Sequence, residues 1–212
     1  MIDSNLIFIT DDTKGDNWFY QKYFAAGANA RYFTFQLVLN LLNQKHDNPI
    51  IIETGCQREL DDLGAGMSTS IFAEYIERYG GQLITVDNCE EHLTRSRAYA
   101  SRFPEADVKF ELSDSVEWLK NYDGQCRLLY LDSLDYPIGD NEGDIAMQNA
   151  AQQHNLNEFL AGDDKIIEGG ILLLDDNLIA GGGKPKVLKE ALLDTKYTCL
   201  LDYQQSVWIK GR

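Results

Sequence analysis

Acidic side chains recur where short apolar runs of this sequence end. Ile50-Ile51-Ile52 leads into Glu53, Leu83-Ile84-Thr85-Val86 into Asp87, and Val108–Leu112 into Asp114. Leu128–Leu131 leads into Asp132 and then Asp135, and Ile171–Leu174 into Asp175-Asp176-Asn177. Carboxylates at such tips accept hydrogen bonds from ligand hydroxyls and amines, and several converging oxygens suit a hard cation such as magnesium or calcium. Glycines accompany the first of these tips: Gly55, then Gly64 and Gly66 ahead of a helical stretch that Ser68 or Thr69 can cap. Asp87 follows Glu53 by 87 − 53 = 34 residues, about one strand–helix–strand unit. An acid there can receive both hydroxyls of a ribose, and Asp114 can accept from an adenine amino group. The ordered set predicts a nucleoside-type ligand. A GxGxxG spacing for pyrophosphate is absent, which disfavours a dinucleotide.

The elements that must position these residues follow from apolar periodicity. Strands are expected at Ile50–Glu53, Gln82–Asp87, Val108–Leu112, Arg127–Asp132 and Gly170–Asp175. Helices are expected at Ser68–Tyr79, Glu90–Arg102, Ser115–Asn121, Asp144–Ala161 and Lys184–Leu193. This alternation predicts a parallel sheet covered by helices on both faces, and the uninterrupted apolar runs fit strands buried on both sides. Tyr197–Asp202 and Ser206–Lys210, separated by Tyr203-Gln204-Gln205, predict a terminal antiparallel hairpin. Residues 1–48, rich in aromatics, are expected to form a helical cap over the strand ends, leaving 49–212 as the ligand-binding domain. Gly181-Gly182-Gly183 suggests either a substrate flap or a plain turn.

The net charge of −15 opposes phosphate backbones and anionic lipid, so neither nucleic acid nor a membrane is an expected partner. No apolar run approaches the ~20 residues of a bilayer span, and the first residues lack signal-peptide character. The four cysteines are scattered without CxxC spacing, which points to reduced thiols and a cytoplasmic location rather than zinc or disulfides.

The segments Ile51-Ile52-Glu53-Thr54-Gly55, Gly64-Ala65-Gly66-Met67-Ser68-Thr69 and Leu83-Ile84-Thr85-Val86-Asp87 resemble the first two motifs of class I S-adenosylmethionine-dependent methyltransferases. The resemblance spans roughly residues 49 to 210 and implies a Rossmann-like methyltransferase fold, a mostly parallel seven-stranded sheet closed by an antiparallel hairpin. It implies S-adenosyl-L-methionine held by Glu53, Gly55, Gly64, Gly66, Ser68, Asp87, Asp114 and Asp132. The compact glycine run of that family is interrupted here by Cys56–Leu63. The later acids resemble metal-dependent O-methyltransferases of the catechol and macrocin-like sugar-tailoring types. That likeness implies a magnesium or calcium ion on Asp132, Asp175, Asp176 and Asn177, with Asp135 as general base; His154, whose side-chain type titrates near neutrality, is the other candidate base. The catechol type carries a lysine base where this chain has Asp135, so that role does not transfer directly. His92 has no supporting neighbours in sequence and receives no role. The expected reaction is O-methylation of a small molecule or sugar, with a homodimer a possible assembly. The rival expectations are an NAD- or nucleotide-sugar-binding oxidoreductase and a non-catalytic Rossmann-like module.

Overall fold

The computed structural model of the chain describes residues 18–24, 31–44, 48–59 and 67–211. Its centre is a seven-stranded sheet: β1 (Ile50–Thr54), β2 (Gln82–Asp87), β3 (Val108–Leu112), β4 (Cys126–Leu131), β5 (Ile166–Leu174), β6 (Tyr197–Asp202) and β7 (Ser206–Lys210). The strands lie in the order β3-β2-β1-β4-β5-β7-β6. β1 pairs in parallel with β2 and β4, as do β2 with β3 and β4 with β5. Only β7 is reversed, lying antiparallel between β5 and β6. This is the Rossmann-like methyltransferase architecture expected from the sequence, and β2, β3, β6 and β7 have their expected bounds.

The continuous apolar runs are explained by two covered faces. Ile51, Leu128, Tyr130, Ile171 and Leu173 point into one buried cluster, and their neighbours Ile52, Leu129, Leu131, Leu172 and Leu174 into the other. The first face is covered by α1 (Tyr32–Asn43) and α2 (Ser68–Tyr79), which contribute Phe35, Val38, Leu42, Phe72 and Ile76. The second cluster includes Leu119 of α4 (Ser115–Asn121), Phe159 of α5 (Glu142–Gly162) and Leu188 of α6 (Lys186–Leu192). Between them in sequence, α3 (Glu90–Ala100) follows β2. Caps match the local sequence: Asp114 accepts from the Glu117 amide at 3.0 Å and Asn141 from the Asp144 amide at 2.9 Å.

Bounds of β1, β4, α3, α5 and α6 shift by one or two residues, and two larger departures from expectation have physical reasons. β5 starts four residues earlier than Gly170, because the ladder passes through a bulge at Gly169-Gly170 where the partner register jumps from Cys126↔Ile166 to Leu128↔Ile171. The described part of the N-terminal segment packs on a sheet face, sharing the core with Phe72 and Tyr130, rather than standing over the strand ends. Among the described residues of this segment, Arg31, just ahead of α1, and Thr34 in its first turn reach toward those ends.

Candidate active site

β1 and β4 carry the connections that leave in opposite directions along the sheet, so the chain opens a crevice beyond their carboxyl ends. A cavity of about 390 Å³ lies there, within the range of small-molecule sites. It brings together Gly55, Asp87, Asp114, Asp132, Asp135, His154 and Asp176, seven of the residues singled out by sequence. Gly64 and Gly66 lie outside the described residues.

Gly55 needs to be glycine. Its φ is +78°, and a Cβ would stand 2.5 Å from the Asp132 carbonyl oxygen, so the two strand tips pack backbone to backbone. Its amide continues the β1–β2 ladder by donating to the Val86 carbonyl at 2.8 Å. Glu53 does not reach the cavity. It is fully buried beneath the loop, where one carboxylate oxygen accepts from the Thr69 hydroxyl at 2.7 Å and the Thr85 hydroxyl at 3.0 Å. Burial pushes its pKa up to about 7, against the pull of those hydroxyls. Ser68 is likewise buried at the start of α2. Glu53 and Ser68 are therefore buried between the end of β1 and the start of α2, and neither lines the cavity. The interrupted glycine run is anchored at its near end by buried Gln57. Its amide donates to the Thr69 hydroxyl at 3.0 Å, and its side-chain oxygen accepts from the Ser70 amide at 3.2 Å.

Asp87 opens onto the cavity with one oxygen engaged and the other nearly free. Oδ1 accepts from the Cys89 amide at 2.8 Å and stands 3.3 Å from His92 Nδ1. Oδ2 meets only the Cys56 thiol, at 3.4 Å, a weak donor. Burial and the Asp87 carboxylate raise the thiol pKa, so Cys56 stays protonated. Asp114 caps α4 through Oδ1 and remains exposed.

The β4 and β5 tips are different. Asp175 is fully buried and saturated: Arg31 Nε donates to Oδ1 at 2.9 Å, the Asp176 amide to Oδ1 at 2.6 Å, and the Tyr130 hydroxyl to Oδ2. Gln205 Nε2 adds a bond to Oδ2 at 3.3 Å, and its own oxygen accepts from the Thr34 hydroxyl. Asp176 accepts from Arg31 Nη2 at 2.9 Å. Lys184, buried at 3% side-chain exposure, places Nζ 2.7 Å from Asp132 Oδ1, 3.1 Å from Asp176 Oδ2 and 3.2 Å from the Ser133 carbonyl. Burial opposes both cations, yet the carboxylates outweigh it and raise the pKa values of Arg31 and Lys184. Three carboxylates face two cations, and the imbalance is uneven. Burial works against the Asp175 charge, but Arg31 and Lys184 hold its pKa below the ordinary value. Asp132 is pushed up to about 8 by burial and the neighbouring Asp175 charge.

This donor set does not fit the metal expected from the sequence. Asn177 points away, its amide nitrogen donating to Asp202 at 2.8 Å and to the Tyr203 carbonyl at 2.6 Å, while its oxygen accepts from Lys189 at 2.9 Å. Asp175 has its oxygens occupied, and Asp132 and Asp176 already share an ammonium. Among the described residues no group of three or more His, Cys, Asp or Glu side chains is placed to hold a metal ion. The general bases fare unevenly. Asp135 is bound by Arg58 through two bonds of 2.9 and 3.0 Å, which lower its pKa and make it a poor proton acceptor. His154 lines the cavity, 3.2 Å from the Ser115 hydroxyl and 3.5 Å from buried Glu158. The hydrogen bond to Glu158 raises its pKa and favours the imidazolium, a donor rather than a base.

Strain marks the same region. Leu134 (φ +41°) and Asp176 (φ +51°) adopt left-handed backbone at the two tips and both line the cavity. Arg31, Lys184, Tyr130 and Gln205 carried no motif in the sequence. The one available signal was Gly181-Gly182-Gly183, because a Cβ on Gly183 (φ +67°) would stand 1.8 Å from the Asp176 carbonyl oxygen. The run is a close-packed turn that delivers Lys184 inward.

A family profile described as "Methyltransferase domain" matches residues 62–177, more than half of the chain. The chain belongs to that methyltransferase family. A search of curated proteins finds no match to this sequence. Solved structures similar to this methyltransferase domain include NSun6 from Pyrococcus horikoshii, with TM-score 0.63, 14% identity, and coverage of 82% of this chain and 51% of that one. SAH-bound Podospora anserina methyltransferase PaMTH1 gives TM-score 0.60, 15% identity, and coverage of 92% and 85%. CalS11, a calicheamicin methyltransferase, gives 0.58, 12%, 84% and 78%, and an rRNA methylase from Streptococcus thermophilus 0.55, 11%, 83% and 96%. At these identities the likeness is one of fold. The chain spans about half the length of the NSun6 structure and of a methyltransferase homologue from Pyrococcus horikoshii.

Proposed function

We propose that this domain transfers a methyl group from S-adenosylmethionine to a hydroxyl of a small molecule or sugar, without a divalent metal. The observation that carries this reading is the division of one cavity into two halves: Gly55, Asp87 and Asp114 on the β1–β3 side, and Asp132, Asp176 and Lys184 on the β4–β5 side. When bound, S-adenosylmethionine supplies a methyl carbon activated by its sulfonium. In this assignment the ribose hydroxyls donate to Asp87 Oδ2 and the adenine amine to Asp114. Gly55, packed on the Asp132 backbone, would be the residue beside the methionine portion of a bound cofactor.

The acceptor hydroxyl then faces Asp132. Oδ1 of that carboxylate is held by Lys184, whereas Oδ2 lies 3.1 Å from the Tyr130 hydroxyl oxygen, whose one proton goes to Asp175, and so keeps its lone pairs for the acceptor's proton. The bound cofactor would supply the methyl group to the acceptor oxygen, and Asp132, with its pKa pushed up to about 8, would in its ionised form take the proton released by that oxygen at Oδ2. Positioning of the acceptor oxygen in line with the methyl carbon supplies most of the acceleration. The net charge of −15 supports a small acceptor over a polyanionic one.

Methyl-labelled S-adenosylmethionine offered with a panel of sugars, phenols and ribosomal RNA tests the proposal. Label recovered as an oxygen-linked methyl on a small hydroxylated acceptor supports it. Label incorporated into RNA alone overturns the acceptor assignment.

A further inference from the structure

Lys184 is an unusual side chain to find at this edge of the sheet. It is a lysine with 3% side-chain exposure, brought in by three consecutive positive-φ glycines, the last packed on the Asp176 backbone. Gln152 fixes the turn by donating to the Gly183 carbonyl at 3.1 Å. An ammonium has three N–H donors, and the three oxygens around Nζ come from the β4 tip (Asp132 Oδ1, the Ser133 carbonyl) and the β5 tip (Asp176 Oδ2). Every donor is used between protein groups, so Lys184 has none left for a ligand. Carboxylate, carboxylate and carbonyl are also the oxygens a hard divalent cation selects.

We propose that Lys184 is the resident cation of the acceptor half, its ammonium filling the place between the β4 and β5 tips that a magnesium or calcium ion would otherwise take and fixing the Asp132 carboxylate toward the acceptor. The proposal rests on the division of the cavity described above. Lys184 acts here as a positioning residue. A divalent ion entering the site would have to displace the ammonium and would still face Arg31, whose Nη2 lies 2.9 Å from Asp176. Removing the ammonium leaves Asp132, Asp175 and Asp176 with Arg31 alone, an arrangement short of two positive charges.

The test is a manganese titration of the full chain followed by electron paramagnetic resonance, with S-adenosylhomocysteine binding measured on the same preparations. Wild type, Lys184→Met and Lys184→Arg are each compared with and without Asp132→Asn, which separates this site from weak binding elsewhere on an acidic surface. Wild type and Lys184→Arg should show no manganese site sensitive to Asp132→Asn. Lys184→Met should gain one such site, at least tenfold tighter than anything in wild type. An Asp132-dependent manganese site in wild type, or no gain in folded Lys184→Met, overturns the proposal. Should Lys184→Met not fold, the wild-type arm still decides. Failure of wild type to bind S-adenosylhomocysteine would count against the cofactor assignment and leave the manganese result standing.

Discussion

The tips of β2 and β3 present carboxylates with lone pairs to spare, while those of β4 and β5 present carboxylates already bound by cations. Asp87 Oδ2 meets one weak thiol donor, and Asp114 is exposed. Asp175, by contrast, is enclosed by Arg31, Tyr130, Gln205 and the Asp176 amide. One edge of the crevice is built to receive a ligand and the other to hold its own geometry. An unfilled acceptor costs little at a wet cavity wall. An unpaired charge inside the protein costs several kcal/mol. Substitutions at the two edges should therefore separate binding from stability.

The largest effect on folding is expected at Asp175. Asp175→Ala removes the acceptor shared by Arg31 Nε, the Tyr130 hydroxyl, Gln205 Nε2 and the Asp176 amide, each buried donor costing about 1–3 kcal/mol, and should lower unfolding free energy by about 3–5 kcal/mol in a denaturant titration. A loss below about 1 kcal/mol would erase the contrast between the edges. Next comes Gly183→Ala, where the positive φ and the collision with the Asp176 carbonyl should cost about 1–3 kcal/mol, read as a lowered Tm. An unchanged Tm would mean that the turn is free to relax.

A pH experiment sharpens the comparison from the β1 side. Glu53 has a folded-state pKa of about 7, above its ordinary 4.5, so the fold favours its protonated form. The stability that this contributes is present below about 4.5 and is lost as pH rises through about 7. Glu53→Gln should remove that part of the pH dependence, and identical pH profiles for the two proteins would refute it. The smallest effect belongs to Arg58→Ala, which breaks a half-exposed pair with Asp135. Unfolding free energy should change by no more than about 1 kcal/mol, with a larger change showing the pair to be structural.

The same contrast explains what could be read in advance. The acids of the β1–β3 edge were legible because they follow their own strands directly, and at β3 the acid itself caps the next helix, whereas the cap expected from Ser68 or Thr69 on α2 does not form. The β4–β5 edge was not. Its acids were visible, and they suggested a metal, but the side chains that neutralise them come from far away. Arg31 is 144 residues from Asp175, and Lys184 is 52 from Asp132. Nothing local marks an arginine ahead of an aromatic helix as a buried counterion. Gln205 read as part of a polar hairpin turn, yet it is fully buried, bridging Thr34 to Tyr130 and Asp175. Asp135 and Asn177 were placed correctly on their loops, but side-chain direction depends on Arg58, Lys189 and Asp202 across the fold.

The central claim is that the β1–β3 edge binds the nucleoside of the methyl donor. Calorimetric titration of S-adenosylhomocysteine into wild type and Asp87→Ala addresses it most directly. The account predicts one site in wild type and a loss of roughly ten- to hundredfold in affinity for Asp87→Ala, the equivalent of about 1.5–3 kcal/mol for hydrogen bonds to a charged group. Equal affinity in the two folded proteins would contradict it.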